Sequence, residues 1–214
     1  MEGHHPGDVV GLRVPENFLY YLSLHRQANE RLLSLARDYP AREIELAFQP
    51  KQARISKMVF EVMGEVHRMK AFVRLSPLGE HVLYGFLQPR HRIEEHICDH
   101  FARRNEGTIV VLGSGSESWV ALCRRGGVYR DRGPGLTETV QRLKKVLPDC
   151  GEVGEQESNV EELWQVYYDS QYCRERKNVE AFKRYMPRRD QESAGLRLVQ
   201  GRRETTLDDF LKIK

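Results

Sequence analysis

The sequence predicts an α+β fold in which a largely antiparallel sheet is backed by helices. Apolar residues recur at helical spacing through the first 70 positions, and the middle of the chain has short apolar runs bounded by turn residues. From residue 51 the predicted order is helix, strand, strand, helix, strand, strand. A doubly wound parallel fold fits less well, because the link between the first two strands is too short for a crossover.

Three helices are predicted before the sheet. The first covers residues 15–38 and ends before Pro40. The second covers 42–48 and is cut by Pro50. The third runs from about 51 to 69, with apolar residues at spacings of three and four. We expect these helices to form a cap or a layer.

Four strands follow from the apolar runs, at residues 72–75, 82–87, 108–112 and 119–123. A turn at 77–79 joins the first two into a hairpin, and a helix at 91–104 separates the two pairs. Gly126 and Gly127 mark a turn after the fourth strand, and 128–135 is predicted as a loop.

The remainder of the chain is predicted to be helical and polar. Helices are expected at 136–147, 159–170 and 179–185, with a mobile linker at 148–158 and a poorly ordered segment from Arg188 onward. The predicted domains are an N-terminal helical segment at 1–40, an α+β domain at 41–187 and a flexible basic tail at 188–214.

Composition is that of a globular protein with a highly charged surface, at 40% hydrophobic and 30% charged residues and a net charge of +3. There is no run of about 18 apolar residues, and the first residues lack the order of a signal peptide. We therefore expect a cytoplasmic protein with no membrane partner. The four cysteines form no Cys-x-x-Cys pair, so free thiols are expected.

No metal and no cofactor are predicted. His96 and His100 have the i, i+4 spacing of paired metal ligands, but Ile97 stands where a metalloprotease helix has Glu. The glycine- and serine-rich segment 113–116 lacks the Lys-Ser/Thr ending of a phosphate-binding loop, so a hairpin turn is the better interpretation.

The junction at residues 65–74, where the helical pattern gives way to an alternating one, concentrates ionisable side chains. Polar groups fixed on rigid elements are what a catalytic site needs, and Glu65, His67 and Lys70 are the catalytic candidates. The alternative is structural, with Glu65 and Arg68 as a solvated helical pair and His67 half-buried.

Positive charge is concentrated near the C-terminus, where residues 171–203 hold ten Lys or Arg against four Asp or Glu. Cations there alternate with tyrosines, a combination that suits phosphates and unpaired bases, although a solvated helical face would look similar. The predicted DNA contacts are Arg68, Arg74, His100, Arg103, Arg104, Arg124, Arg125, Arg130, Arg132, Arg176, Lys177, Asn178, Lys183 and Arg184.

The last eleven residues place Leu207, Phe210 and Leu211 on one side of a helical turn. With Glu204 they resemble the sliding-clamp (PCNA) binding box at the C-termini of archaeal repair and replication proteins. Glu204 stands where that box usually has Gln, and Leu211 replaces its second aromatic. The alternative is that Phe210 docks back on its own domain.

Five motifs in order resemble an uncharacterised family described as a probable DNA metabolism protein. They are residues 65–74, 83–84, 99–104, 162–168 and 176–178 with 186–187, and the similarity covers about 42–187. Genes of that family neighbour a radical-SAM protein of the spore-photoproduct-lyase type, and some members are fused to a uracil-DNA glycosylase. The resemblance implies DNA repair or modification with a radical-SAM partner, and it supplies no catalytic mechanism.

The first functional hypothesis is a DNA-binding repair protein that docks on the clamp. The second is an enzyme, a glycosylase or nuclease, in which His67 transfers protons, Glu65 orients it or acts as base, and Lys70 stabilises negative charge. His100, Arg103 and Arg104 would then hold phosphate. The third is a scaffold for the radical-SAM enzyme.

Overall fold

The chain folds into two units, Met1–Gly64 and Glu65–Lys214, in the computed structural model, which describes residues 13–147, 180 and 184–195. The α+β class is confirmed. The described residues form α1 (Phe18–Leu24), α2 (Glu30–Arg37), α3 (Ala41–Leu46), α4 (Pro50–Phe72), β1 (Ser76–Pro77), β2 (Val82–Phe86), α5 (Glu94–Arg104), β3 (Ile109–Gly113), β4 (Ser118–Arg124), β5 (Gly127–Gly133), α6 (Leu136–Val146) and α7 (Arg188–Ser193). The predicted domain bounds stay predictions.

The first unit has its own core of helices α1 to α3 and the first part of α4, centred on Leu22, Ile44 and Val59. The single helix predicted at 15–38 was wrong, because two helices occupy it. Asn29 begins the second by accepting a hydrogen bond on its side chain from the Leu32 N–H at 2.9 Å. The short helix predicted at 42–48 is present as α3.

The strand predicted at 72–75 was also wrong, because α4 continues to Phe72. Met69 and Val73 are both buried, and the Val73 N–H donates to the Met69 carbonyl at 3.0 Å. The apolar residues that suggested a strand therefore extend the buried stripe of the helix by one more turn.

Within the described ranges the sheet has five strands in chain order, and all neighbouring pairs but one are antiparallel. The predicted hairpin exists with β1 as its short first strand, so Ser76 pairs with Tyr84. The exception is the parallel pair β2 and β3, which α5 connects as a crossover. The prediction of a largely antiparallel sheet with helices is confirmed.

Strand β5 replaces the loop predicted at 128–135. Arg125 and Gly126 both have positive φ (51° and 77°), which is the conformation of a tight hairpin turn. Strand β5 then pairs with β4 over its whole length at the edge of the sheet. The charged sequence of β5 gave no strand pattern, because a strand at the edge of a sheet needs few apolar residues to form its backbone hydrogen bonds.

Helices cover both faces of the sheet. Helix α5 packs on β3 and β4, where Val110 and Leu112 are fully buried. Helix α6, confirmed at the predicted position, packs in a cluster with Val111 and Val120, which alternation places on the opposite face. Side chains of β5 follow the same alternation, so Arg130 and Tyr129 lie on opposite faces.

Helix α7 occupies the start of the segment predicted to be poorly ordered. Asp190 is only 1% exposed, and the Ser193 carbonyl accepts a hydrogen bond from the Gln88 N–H at 2.8 Å. The linker predicted at 148–158 and the helix at 159–170 lie outside the described residues, as does most of the helix predicted at 179–185. Within the described part, no helix combines the length and apolar character that crossing a bilayer requires.

Candidate functional site

The ionisable residues at the end of α4 do not share one side of the helix. Successive residues are rotated by about 100°, so neighbours in sequence face different surroundings. Glu65 is buried, His67 is exposed, and Lys70 is partly buried. The structure therefore does not bring Glu65 and His67 together as the predicted catalytic pair.

Glu65 is held by backbone groups instead. Its carboxylate is 3% exposed and accepts hydrogen bonds from the N–H groups of Arg90 at 2.8 Å and His91 at 3.0 Å. These two residues lie just before α5. A charged acceptor with two backbone donors fixes the entry of the chain into that helix. Helix α5 begins at Glu94 rather than at the predicted residue 91.

Arg68, predicted to bind DNA, forms a structural ion pair. Its Nε lies 2.7 Å from Oδ2 of the buried Asp190, although the two groups are not aligned for a hydrogen bond. The Nε of Arg189 lies 3.5 Å from the other carboxylate oxygen. This contact ties α7 to α4, so Arg68 is committed to the fold.

Lys70 faces the histidines of α5. Partial burial lowers the pKa of its ammonium below the ordinary value. Its charge in turn lowers the pKa of both His96 and His100, which shows that the three groups lie close enough to repel one another when charged. The structure thus brings Lys70, a predicted catalytic residue, near His100, a predicted DNA contact. His96, which the sequence suggested only as a metal ligand, lies near both.

His96, His100, Arg103 and Arg104 share one side of α5, since their spacings of three, four and eight residues return to the same side of a helix. Burial is the largest cause of the lowered pKa of each histidine, followed by the charge of Lys70. Arg104 lowers the pKa of His100 further, while Asp99 acts in the opposite direction on His96. We call this set, with Lys70, the basic surface.

Arg74 lies at the end of α4 and mainly completes that helix. Its guanidinium donates to the carbonyls of Ala71 at 2.7 Å and Val73 at 3.4 Å. Burial lowers its pKa, but the group stays charged at neutral pH because an arginine side chain does not lose its proton under such conditions. A second role toward DNA stays a prediction.

The arginines of the β4–β5 hairpin are divided between solvent and acidic partners. Arg130 donates to both carboxylate oxygens of Asp99, at 2.8 and 2.6 Å, and also lies 3.4 Å from Glu95. Arg132 lies 3.9 Å from Glu95 and stacks over the Trp119 ring at 5.7 Å. These side chains line a cleft of about 310 Å³ between α5, β4 and β5.

Glu95 and Asp99 offset the positive charge of Arg130 and Arg132, which are two of the predicted DNA contacts. Arg124 and Arg125, at the tip of the hairpin, are exposed. Tyr129, 67% exposed, lies on the face away from the cleft, so its ring and the side chains of Arg130 and Arg132 lie on opposite faces of the sheet. Asp99 was not predicted from the sequence as a partner of Arg130. Asp99 lies four residues after Glu95, and that spacing places both acids on one side of α5.

Several predicted contacts lie outside the described residues. They are Arg176, Lys177, Asn178, Lys183 and the clamp-binding residues Glu204, Leu207, Phe210 and Leu211. Arg184 is described and is exposed. Asp190, the buried partner of Arg68, was also not predicted from the sequence. Its position in the first helical turn after Pro187 is the sequence feature that could have indicated it.

Comparison with known proteins supplies a family. A search of curated proteins and a search of solved structures each find no significant match. One family model matches residues 25–192, well over half of the 214 residues, and it spans α2 to α7 with the basic surface inside it. The chain therefore belongs to the DUF4130 family, a domain of unknown function.

Proposed function

We propose that the protein binds DNA through the basic surface and acts in DNA repair or modification. The observation that carries the proposal is the placement of Lys70, His96 and His100, from two helices, where the charge of Lys70 lowers the pKa of both histidines. Such a group gains from an anionic ligand, because a bound phosphate attracts the charge of Lys70 and favours the protonated imidazoles that Lys70 disfavours in the free protein.

The dimensions of the surface suit a polymer of phosphates. From His96 to Arg104 the rise along α5 is about 12 Å, which equals three to four phosphates along one strand of duplex DNA. The family resemblance to DNA metabolism proteins points to the same ligand. A single small anion would use only part of this length.

Fluorescence anisotropy with a labelled oligonucleotide tests the proposal. Affinity should fall steeply between about 50 and 200 mM salt, and Lys70→Ala should weaken binding and lower the slope of log K against log salt by roughly 0.7–0.9. Arg142→Ala is the matched control, because Arg142 is an exposed cation on α6 paired with Glu138 at 2.6 Å. Equal effects of the two changes, or binding independent of salt, would exclude the basic surface as the DNA contact.

Docking on the sliding clamp through residues 204–214 is part of the same proposal. It is supported by the resemblance of that segment to a clamp-binding box. Deleting the eleven residues should abolish co-elution with the clamp and leave DNA affinity within about twofold. Replacing Phe210 alone by Ala should have the same effect, and a truncated chain that still co-elutes would refute the assignment.

A radical-SAM partner is proposed on the family resemblance. A pull-down from a native extract, with and without nuclease, checks it. If the partner is retained after nuclease treatment while DNA affinity is negligible, the protein is a scaffold for that enzyme rather than a DNA-binding protein.

One observation favours an enzyme as the second candidate. Burial lowers the pKa of Lys70, which raises the fraction of neutral amine available for chemistry. Damaged duplexes incubated with and without divalent metal would reveal turnover. Loss of turnover in both Lys70→Ala and His67→Ala would support the predicted active site without Glu65, and turnover retained in both would exclude it.

A further inference from the structure

Phe48 projects from the first unit into solvent. It is 82% exposed, and among the described residues no large hydrophobic side chain is more exposed. Leu46, two residues earlier, is 51% exposed. An aromatic ring exposed to water does not contribute the free energy that its burial would, so folding stability does not explain the position of Phe48.

The backbone around Phe48 is held in place. Ala47 has φ of 50°, a left-handed conformation that is uncommon for a residue other than glycine and is often found at functional sites. The Ala47 N–H donates to the Glu43 carbonyl at 3.0 Å. The backbone thus turns sharply immediately before the ring.

The buried side chain of Gln52 secures the other side of the turn. Its Oε1 accepts from the Gln49 N–H at 3.0 Å, and its Nε2 donates to a carboxylate oxygen of Glu43 at 3.3 Å. The first contact is the return half of a helix capping box, with Pro50 in the first helical position. Phe48 is therefore presented by fixed backbone on both sides.

The helix that follows adds positive charge without acids. Lys51, Arg54 and Lys57 are exposed and recur every three residues, which places them along one side of the first turns of α4. Residues 50–60 contain no Asp or Glu. A rigid exposed ring with cations beside it in the chain is the combination used to bind single strands.

We propose that Phe48 stacks on an unpaired nucleobase while Lys51, Arg54 and Lys57 contact the adjacent phosphates. The ligand class is single-stranded nucleic acid, or a duplex with a base out of its stack. The inference rests on the proposed function for the nature of the ligand, but it uses different residues in the other unit. An acidic protein groove would attract the same cations, and it is the occupant that would remain if the wild type binds no nucleic acid.

Affinity for a labelled thymidine oligonucleotide of about 20 residues tests stacking directly. Phe48→Ala should weaken binding at least about fivefold. Phe48→Leu should lose as much, because it keeps the apolar surface and lacks the aromatic face. Phe48→Trp should retain affinity, and the fluorescence that it adds to the wild-type signal should be quenched on binding. Leu46→Ala is the matched control for an exposed apolar side chain and should bind as wild type.

The outcomes separate this inference from the proposed function. If Phe48→Ala binds as tightly as wild type while Lys70→Ala is weakened, stacking is refuted and the basic surface stands. If Phe48→Leu also binds as wild type and only Ala loses affinity, an apolar contact replaces stacking and the inference fails. If the wild type binds no nucleic acid, both fail, whereas losses confined to the Phe48 variants support this site alone.

Discussion

The Glu65→Gln substitution separates a structural role for this carboxylate from a catalytic one. In the folded chain the two oxygens of Glu65 accept the N–H groups of Arg90 and His91 at 2.8 and 3.0 Å in a buried position. Gln has the same shape, but its amide group can accept only through its oxygen. Its NH₂ group would face one of the two backbone donors and leave that donor unsatisfied.

The cost follows from the lost contact. A hydrogen bond to a charged acceptor contributes about 1.5–3 kcal/mol, and one such bond is lost. For a chain of this length each kcal/mol lowers the melting temperature by roughly 2–4 °C, so Glu65→Gln should melt about 3–12 °C below wild type. Glu106→Gln makes the same chemical change at an exposed position and should melt within about 2 °C of wild type.

Thermal unfolding followed by circular dichroism measures the difference, and anisotropy measures DNA affinity at a temperature where both variants are folded. We expect lower stability with DNA affinity within about twofold of wild type. If Glu65→Gln melts at the same temperature as wild type but has lost a DNA-processing activity, the structural assignment is wrong and Glu65 is a catalytic residue.

Three further predictions follow from the charged and buried groups. Asp190→Asn should cost about 1–3 kcal/mol, less than a fully buried pair because Arg68 is a quarter exposed, and hydrogen exchange should show α7 opening first. The pKa of His96 and of His100 lies below the ordinary value of 6.5, so the unfolded chain binds more protons and the free energy of unfolding should fall as the pH drops from 7 to 5. Replacing both histidines by Asn should flatten that fall in melts across pH; an unchanged slope would contradict the assignment. Burial raises the pKa of Cys98 to about 12, so iodoacetamide at pH 8 should leave it unmodified in the folded protein and alkylate it after unfolding, as peptide mass spectrometry would show.

Local patterns predicted the elements with a strong apolar period. The stripe of α4, the buried run of β3 and helix α6 were placed within a few residues, because each element depends on its own apolar face. Strand β5 was missed because its arginines contact acids of α5, about 30 residues earlier in the chain. No local pattern carries that information.

The sequence predicted individual residues of the candidate site but not which of them lie close together. Glu65, His67 and Lys70 are close in sequence, yet the helix buries Glu65 on a side away from the other two. The actual neighbours of Lys70 come from α5, whose rotation about its own axis is set by Ile97 and Phe101 in the core. Asp190 is separated from Arg68 by more than a hundred residues, and their pairing depends on where α7 docks.

The charge order of β5 bears on self-association. Among the described residues β5 is the last strand of the sheet, and the backbone groups on its outer side would form a template on which a second copy could add a strand. Two copies paired antiparallel about Asp131 would set Asp131 against Asp131 and Arg130 against Arg132, so every charged pair would repel. The sequence Arg-Asp-Arg therefore resists the symmetric dimer that a neutral edge of seven residues would invite.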